Sequence, residues 1–140
     1  MNRGTILAAA ALLAACSTPE QREPPPKPFV GTHWMVVLEL KIPGEQPNMR
    51  FGDGRVEGFG GCSKFHAPIL QDSVGAGALV IRRLEVERRL CDSSVQAAED
   101  HVLEILQSIQ SYKILGDAMS MSGSAGGLKL IALPPGGHTP

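Results

Sequence analysis

Residues 51–65 read Phe-Gly-Asp-Gly-Arg-Val-Glu-Gly-Phe-Gly-Gly-Cys-Ser-Lys-Phe. A chain with this stretch at its centre is committed to β structure with close backbone crossings. Asp53-Gly54 tolerates positive φ and predicts a tight hairpin joining strands at 49–51 and 55–59. Gly58, Gly60 and Gly61 then lower β propensity and predict a bulge or a close backbone approach. Residues 62–66 are expected to form a turn or one helical turn.

The flanking segments supply partners for that hairpin. In residues 33–40, Trp34, Val36, Leu38 and Leu40 share one face at a period of two, which predicts a strand. Pro43-Gly44 and Pro47-Asn48 mark a loop after it. Residues 68–71 suit a short strand. Residues 78–87 read as one longer strand, with Leu84 and Val86 opposed by Arg83, Glu85 and Glu87. Val95, Ala98, Val102, Leu106 and Ile109 then fall at three- and four-residue steps, which predicts a helix. Ser93 followed by Gln96 fits a capping box at its start. Gln96, Glu99, Asp100, Glu104, Gln107 and Ser108 are expected on its outward side. Strands at 111–115, 118–122 and 128–133 complete the pattern, with Met119 and Met121 alternating with Ser120 and Ser122. Antiparallel-compatible strands interrupted by one helix argue for an α+β domain whose sheet is covered by that helix.

The N-terminal region has a different character. Arg3 precedes an apolar run over residues 6–15 that is too short to span a bilayer, which takes about 20 residues. A positive start, a short apolar centre and small residues at the end describe a secretory signal peptide over residues 1–15. Leu13-Ala14-Ala15-Cys16 resembles the bacterial lipobox, which predicts cleavage before Cys16 and lipidation of its sulfur. Two or three acyl chains anchor firmly where one does not. Ser17 at the next position is consistent with outer-membrane sorting, with the domain facing the periplasm. Pro19, Pro24, Pro25, Pro26 and Pro28 make residues 16–28 an extended tether. Residues 134–140 are expected to be a disordered tail.

Gly31-Thr32-His33-Trp34, the run from Phe51 to Cys62, the second cysteine before the helix, and Tyr112-Lys113-Ile114 before the last hairpin together resemble the META domain. That family includes the heat-shock HslJ-like envelope proteins. The resemblance covers residues 29–133 and implies an antiparallel, open or cracked β-barrel with one α-helix packed on it. It brings no catalytic residues and implies an association with stress, drug resistance, motility or virulence. The sequence departs from the family pattern at Ser63, where Asn is favoured, and at Glu87-Arg88-Arg89-Leu90, where a Thr-Arg-Met-Ala-like segment is common.

With Cys16 lipidated, Cys62 and Cys91 remain, and two thiols in an exported domain most simply form a disulfide. A redox-active pair would normally show a short C-x-x-C spacing, and unpaired thiols are the other alternative. Cys62 with His66 could suggest a metal site, but a closed zinc site takes four ligands at short paired spacings and His33, His101 and His138 have no such relation, so no metal and no cofactor are expected. Ser63 lacks a G-x-S-x-G elbow, and the glycines lack a phosphate-loop lysine. Arg82, Arg83, Arg88 and Arg89 form the densest cationic group, expected to balance Glu85 and Glu87 at a strand end. A net charge of -1 gives no electrostatic case for nucleic acid.

The sequence therefore points to a non-enzymatic binding or assembly module, held to the membrane through Cys16. An envelope protein or a hydrophobic peptide is its expected partner. A small envelope hydrolase or redox enzyme is the alternative, and a purely structural stress protein is a third reading.

Overall fold

The Asp53-Gly54 turn joins two of the strands that form the wall of a barrel. A computed structural model describes residues 22–72 and 76–136. The predicted leader, Cys16, Ser17, the first part of the tether, His138 and the end of the tail lie outside the described residues. In chain order the strands are β1 (His33–Val36), β2 (Asn48–Gly52), β3 (Arg55–Phe59), β4 (Lys64–Gln71), β5 (Ala76–Ile81) and β6 (Glu85–Glu87). Helix α1 (Ser93–Ser108) follows, then β7 (Ile109–Leu115), β8 (Ala118–Gly123) and β9 (Gly126–Ala132).

Eight strands close a ring in the order β1-β2-β3-β4-β5-β7-β8-β9, with β9 pairing back to β1 and all pairings antiparallel. The antiparallel barrel with one packed helix is as expected, and the ring is closed rather than open. Two seams are narrow. β4 meets β5 only through Ile69↔Ile81, Leu70↔Val80 and Gln71↔Leu79, and β5 meets β7 only through residues 76–78.

The expected strand at 78–87 is broken into β5 and β6. The break at Arg82 to Leu84 is stabilised from the helix. The Gln107 amide donates to the Ile81 and Arg82 carbonyls at 3.1 and 3.0 Å, and its oxygen accepts the Leu84 N–H at 2.9 Å. β4 replaces the turn expected at 62–66 and absorbs the short strand at 68–71. Pro68 fits inside β4 because its carbonyl accepts the Arg82 N–H. Its nitrogen faces the same edge and cannot donate to the opposing Arg82 carbonyl, which accepts from the Gln107 amide instead. β1 ends at Val36 rather than near residue 40. Beyond it, Leu38 and Ile42 turn away to pack with Cys62 and Val95 in a small second core.

The barrel interior is filled. Trp34, Met49, Phe51, Val56, Leu79, Met119, Met121 and Leu130 are each no more than 1% exposed. Phe29 is buried with them, its ring 4.2 Å from Phe51 and 4.6 Å from Tyr112, which fastens the end of the tether to the domain. Val102, Leu103, Ile105 and Leu106 of α1 belong to this same core, so the helix packs into the barrel's apolar contents. Trp34 Nε1 is buried without a hydrogen-bond partner among the described residues.

The helix itself differs from expectation at both ends. Asp92 is the N-cap and makes no side-chain cap bond, so the capping box does not form. Ile109 leaves the apolar stripe and begins β7, and no loop separates helix from strand. No described helix is long and apolar enough to cross a membrane.

Candidate functional site

Two constellations of polar side chains stand out, one sealed and one open. The sealed one surrounds the glycine run. Cys62 and Cys91 are joined by a disulfide, which ties the residues before β4 to the residues before α1. Glu99, expected on the outward side of the helix, is instead fully buried. Its Oε2 accepts the backbone N–H of Cys62 at 2.9 Å and of Ser63 at 2.5 Å. Its Oε1 accepts from Gln96 Nε2 at 3.5 Å, with Arg88 Nη1 3.8 Å away. A pair of successive backbone N–H groups aimed at one oxygen is a ready-made anion cradle, and here the chain supplies its own anion.

Gly60 makes the approach possible. A Cβ there would lie 2.8 Å from Glu99 Oε2 and 2.9 Å from its Cγ. The glycine run is therefore the cavity wall for a carboxylate that arrives from the helix. Arg88 Nη1 also pairs with Asp100 at 2.9 Å. That contact, with the Gln96 amide, holds the exposed Asp100 carboxyl below its ordinary range.

The two departures from the family pattern meet in this cluster. The buried Ser63 hydroxyl accepts the Arg89 N–H at 3.2 Å. A serine there fits because the residue 87–90 segment brings a backbone donor to it. The same bond holds the Ser63 hydroxyl in the interior.

The open constellation lies on the outer wall. Registration of β1, β2, β3, β4 and β6 places His33, Arg50, Glu57, His66 and Glu85 in one continuous cross-strand row. Opposite charges at facing positions stabilise such pairs. His66 Nε2 lies 3.1 Å from Glu85 Oε2, and Arg55 donates to Glu57 at 3.1 Å. Asn48 Nδ2 donates to Glu45 Oε1 and to the Gln46 carbonyl, which turns Asn48 Oδ1 towards His33 Nε2 at 2.8 Å. His33 Nε2 is then the donor, and Nδ1 is left to accept from Arg50 at 3.4 Å.

This row borders an open groove of about 540 Å³ with the half-buried Phe59 on its wall. Arg50, Arg55 and Lys64 are matched in it by Glu45, Glu57 and Glu87. Donors, acceptors and both charge signs converge beside Phe59, without a dominant charge. The arrangement can hold a polar, hydrogen-bonding partner of little net charge. His66, weighed with Cys62 in the sequence as a metal ligand, stands in this row with His33, with Arg50 and Glu57 between the two histidines; among the described residues no group of three or more His, Cys, Asp or Glu could hold a metal ion. His101 is exposed on α1, away from the row. Sequence reasoning missed the groove because its members are ordinary outward strand positions, and only the register joins them.

Comparison with known proteins agrees with the geometry. Among curated proteins, none matches this chain. An NMR structure of a protein from Burkholderia xenovorans has the same fold, with a TM-score of 0.57, at 15% identity over 83% of this chain and 97% of that one. The family model described as the META domain matches residues 28–133, and the chain belongs to that family.

Proposed function

We propose that the protein is a lipid-anchored, non-enzymatic binding module of the bacterial envelope, acting through the outer groove of β1, β2, β3, β4 and β6. The observation that carries this reading is the cross-strand row from His33 to Glu85 with its convergent polar groups. The packed interior supports it too, because a partner has to be met on the outside of the wall. META membership supports an envelope-type domain, and the Cys16 lipobox supports the anchor. The groove's balanced charge favours a neutral, hydroxyl- and amide-rich partner, such as a glycan or a polar peptide segment, with Phe59 offering a stacking face. A link to envelope stress rests on the family resemblance.

A titration of the isotope-labelled protein with envelope glycans and peptides, followed by NMR, tests this. Shifts should cluster at His33, Arg50, Phe59 and His66 and vanish for Arg50→Ala with Phe59→Ala. Binding that maps elsewhere, or that survives the double variant, refutes the assignment. The alternative of a small hydrolase or redox enzyme would use Ser63 or the cysteine pair. The first is buried and the second is closed in a disulfide, which favours the binding reading.

A further inference from the structure

The wall that carries the groove is polar, but another part of the barrel is not. On the outer face of β7, β8, β9 and β1, the residues Leu115, Ala118, Ile131 and Met35 form one in-register row. Lys113, Ser120 and Lys129 form the next. Val37, Leu115 and Ile131 are 48%, 45% and 39% exposed, and they border an apolar hollow of about 280 Å³. Its lining includes Lys113 and Lys129 and no carboxylate. Asp117 in the β7–β8 turn and Glu39 in the loop after β1 are close in the chain but do not line the hollow.

The tether is strapped to the same place. Lys27 donates its backbone N–H to the Gly116 carbonyl at 2.7 Å. Pro24 lies over Gly116 so closely that a Cβ there would come within 2.9 Å of its ring. Gly116 is the residue after Leu115. The chain from Cys16 to Pro24 reaches at most about 29 Å when fully extended. An anchor at Cys16 therefore holds the bilayer within a short reach of this turn.

We infer that the outer face of β7, β8 and β9 docks on the membrane surface. Val37, Leu115 and Ile131 enter the headgroup region, and Lys113 and Lys129 meet anionic lipid phosphates. The inference rests on the lipid-anchor reading. Docking in this way would leave the polar groove, which shares only β1 with this face, free for its partner.

The test uses the full lipidated chain reconstituted in vesicles of phosphatidylethanolamine and phosphatidylglycerol, with brominated acyl chains as quenchers. Ile131→Trp and Val37→Trp report from the docking face, and Phe59→Trp reports from the groove. The native Trp34 is buried and common to all three. The docking-face variants should be quenched at least about twofold more than Phe59→Trp, as for side chains seated at the headgroup boundary. That excess should fall when Lys113→Glu and Lys129→Glu are added.

Acylated protein that floats with the vesicles but shows equal quenching at both faces overturns the docking and leaves the anchor standing. An N-terminus without acyl groups, on protein that does not float, overturns the anchor and the docking with it. Disulfide cross-linking of Ile131→Cys between two copies, without quenching of the tryptophan variants, assigns the face to self-association and also overturns the proposal.

Discussion

Replacement of Glu99 by alanine should be among the most damaging single changes in the protein. The carboxylate is fully buried and its Oε2 is the acceptor for the N–H groups of both Cys62 and Ser63. Removing it strands two buried donors, each costing about 1–3 kcal/mol. The lost γ-methylene adds about 0.8 kcal/mol. Entry of water into the vacated space, and relief of the buried charge, offset part of this. The expected loss is about 4 kcal/mol, within the range for breaking a buried charged contact. Glu99→Gln keeps the shape and one accepting oxygen but loses the charge-assisted strength of the bonds, and should cost about 1–2 kcal/mol. Urea unfolding of the oxidised protein, monitored by circular dichroism, measures both. A loss below about 1 kcal/mol for Glu99→Ala would refute the claim that this carboxylate holds the glycine run. Because Glu99 and the disulfide secure the same segment, a double-mutant cycle with Cys62→Ala and Cys91→Ala should show a coupling of at least about 1 kcal/mol.

Other outcomes follow from particular contacts. The disulfide closes a sequence separation of 29 residues, and reducing it should lower stability by about 3.5 kcal/mol in the chain-entropy account. A denaturation midpoint unchanged by reductant would contradict this. Trp34→Phe removes volume from the core but also removes the unpartnered buried indole N–H. The two effects oppose, so its net cost should be below about 2 kcal/mol, less than the usual large-to-small core change. Asp100 should titrate below the ordinary carboxylate range by NMR and return towards it in Arg88→Ala. A depressed pKa contributes stability that is present above the unfolded-state value and is lost as pH falls through the folded one. The Arg88–Asp100 contact should therefore weaken only in acid, and by little, because the carboxyl is at the surface.

Much of the fold is legible in local chemistry. Asp53-Gly54 marks its hairpin, β3 occupies the predicted residues, and the Met119/Met121 alternation marks β8. The helix is betrayed by Val95, Val102 and Leu106. The misreadings share a cause, which is that a distant partner supplies what the local sequence lacks. Only residues 68–71 of β4 read as strand, because the glycines before them are poor strand formers, yet pairing with β3 and β6 carries the strand back to Lys64. The 78–87 segment looked continuous because nothing nearby announces that Gln107 will satisfy its broken backbone. Glu99 looked like a solvent-facing helix residue because its partners lie 36 and 37 residues away. The outer row from His33 to Glu85 was illegible for the same reason, since it exists only once five strands are in register.

The passage from Ser108 directly into Ile109 has a mechanical consequence. With no linker after its last turn, α1 cannot rotate without dragging β7 along. At its other end a covalent bridge and a buried carboxylate fix it to the start of β4. The helix is thus a brace clamped at both ends, and the scaffold has no hinge at this position. Adaptation to a partner would have to come from the loop before β2 or from side chains on the outer wall, with the wall itself behaving as a stiff template.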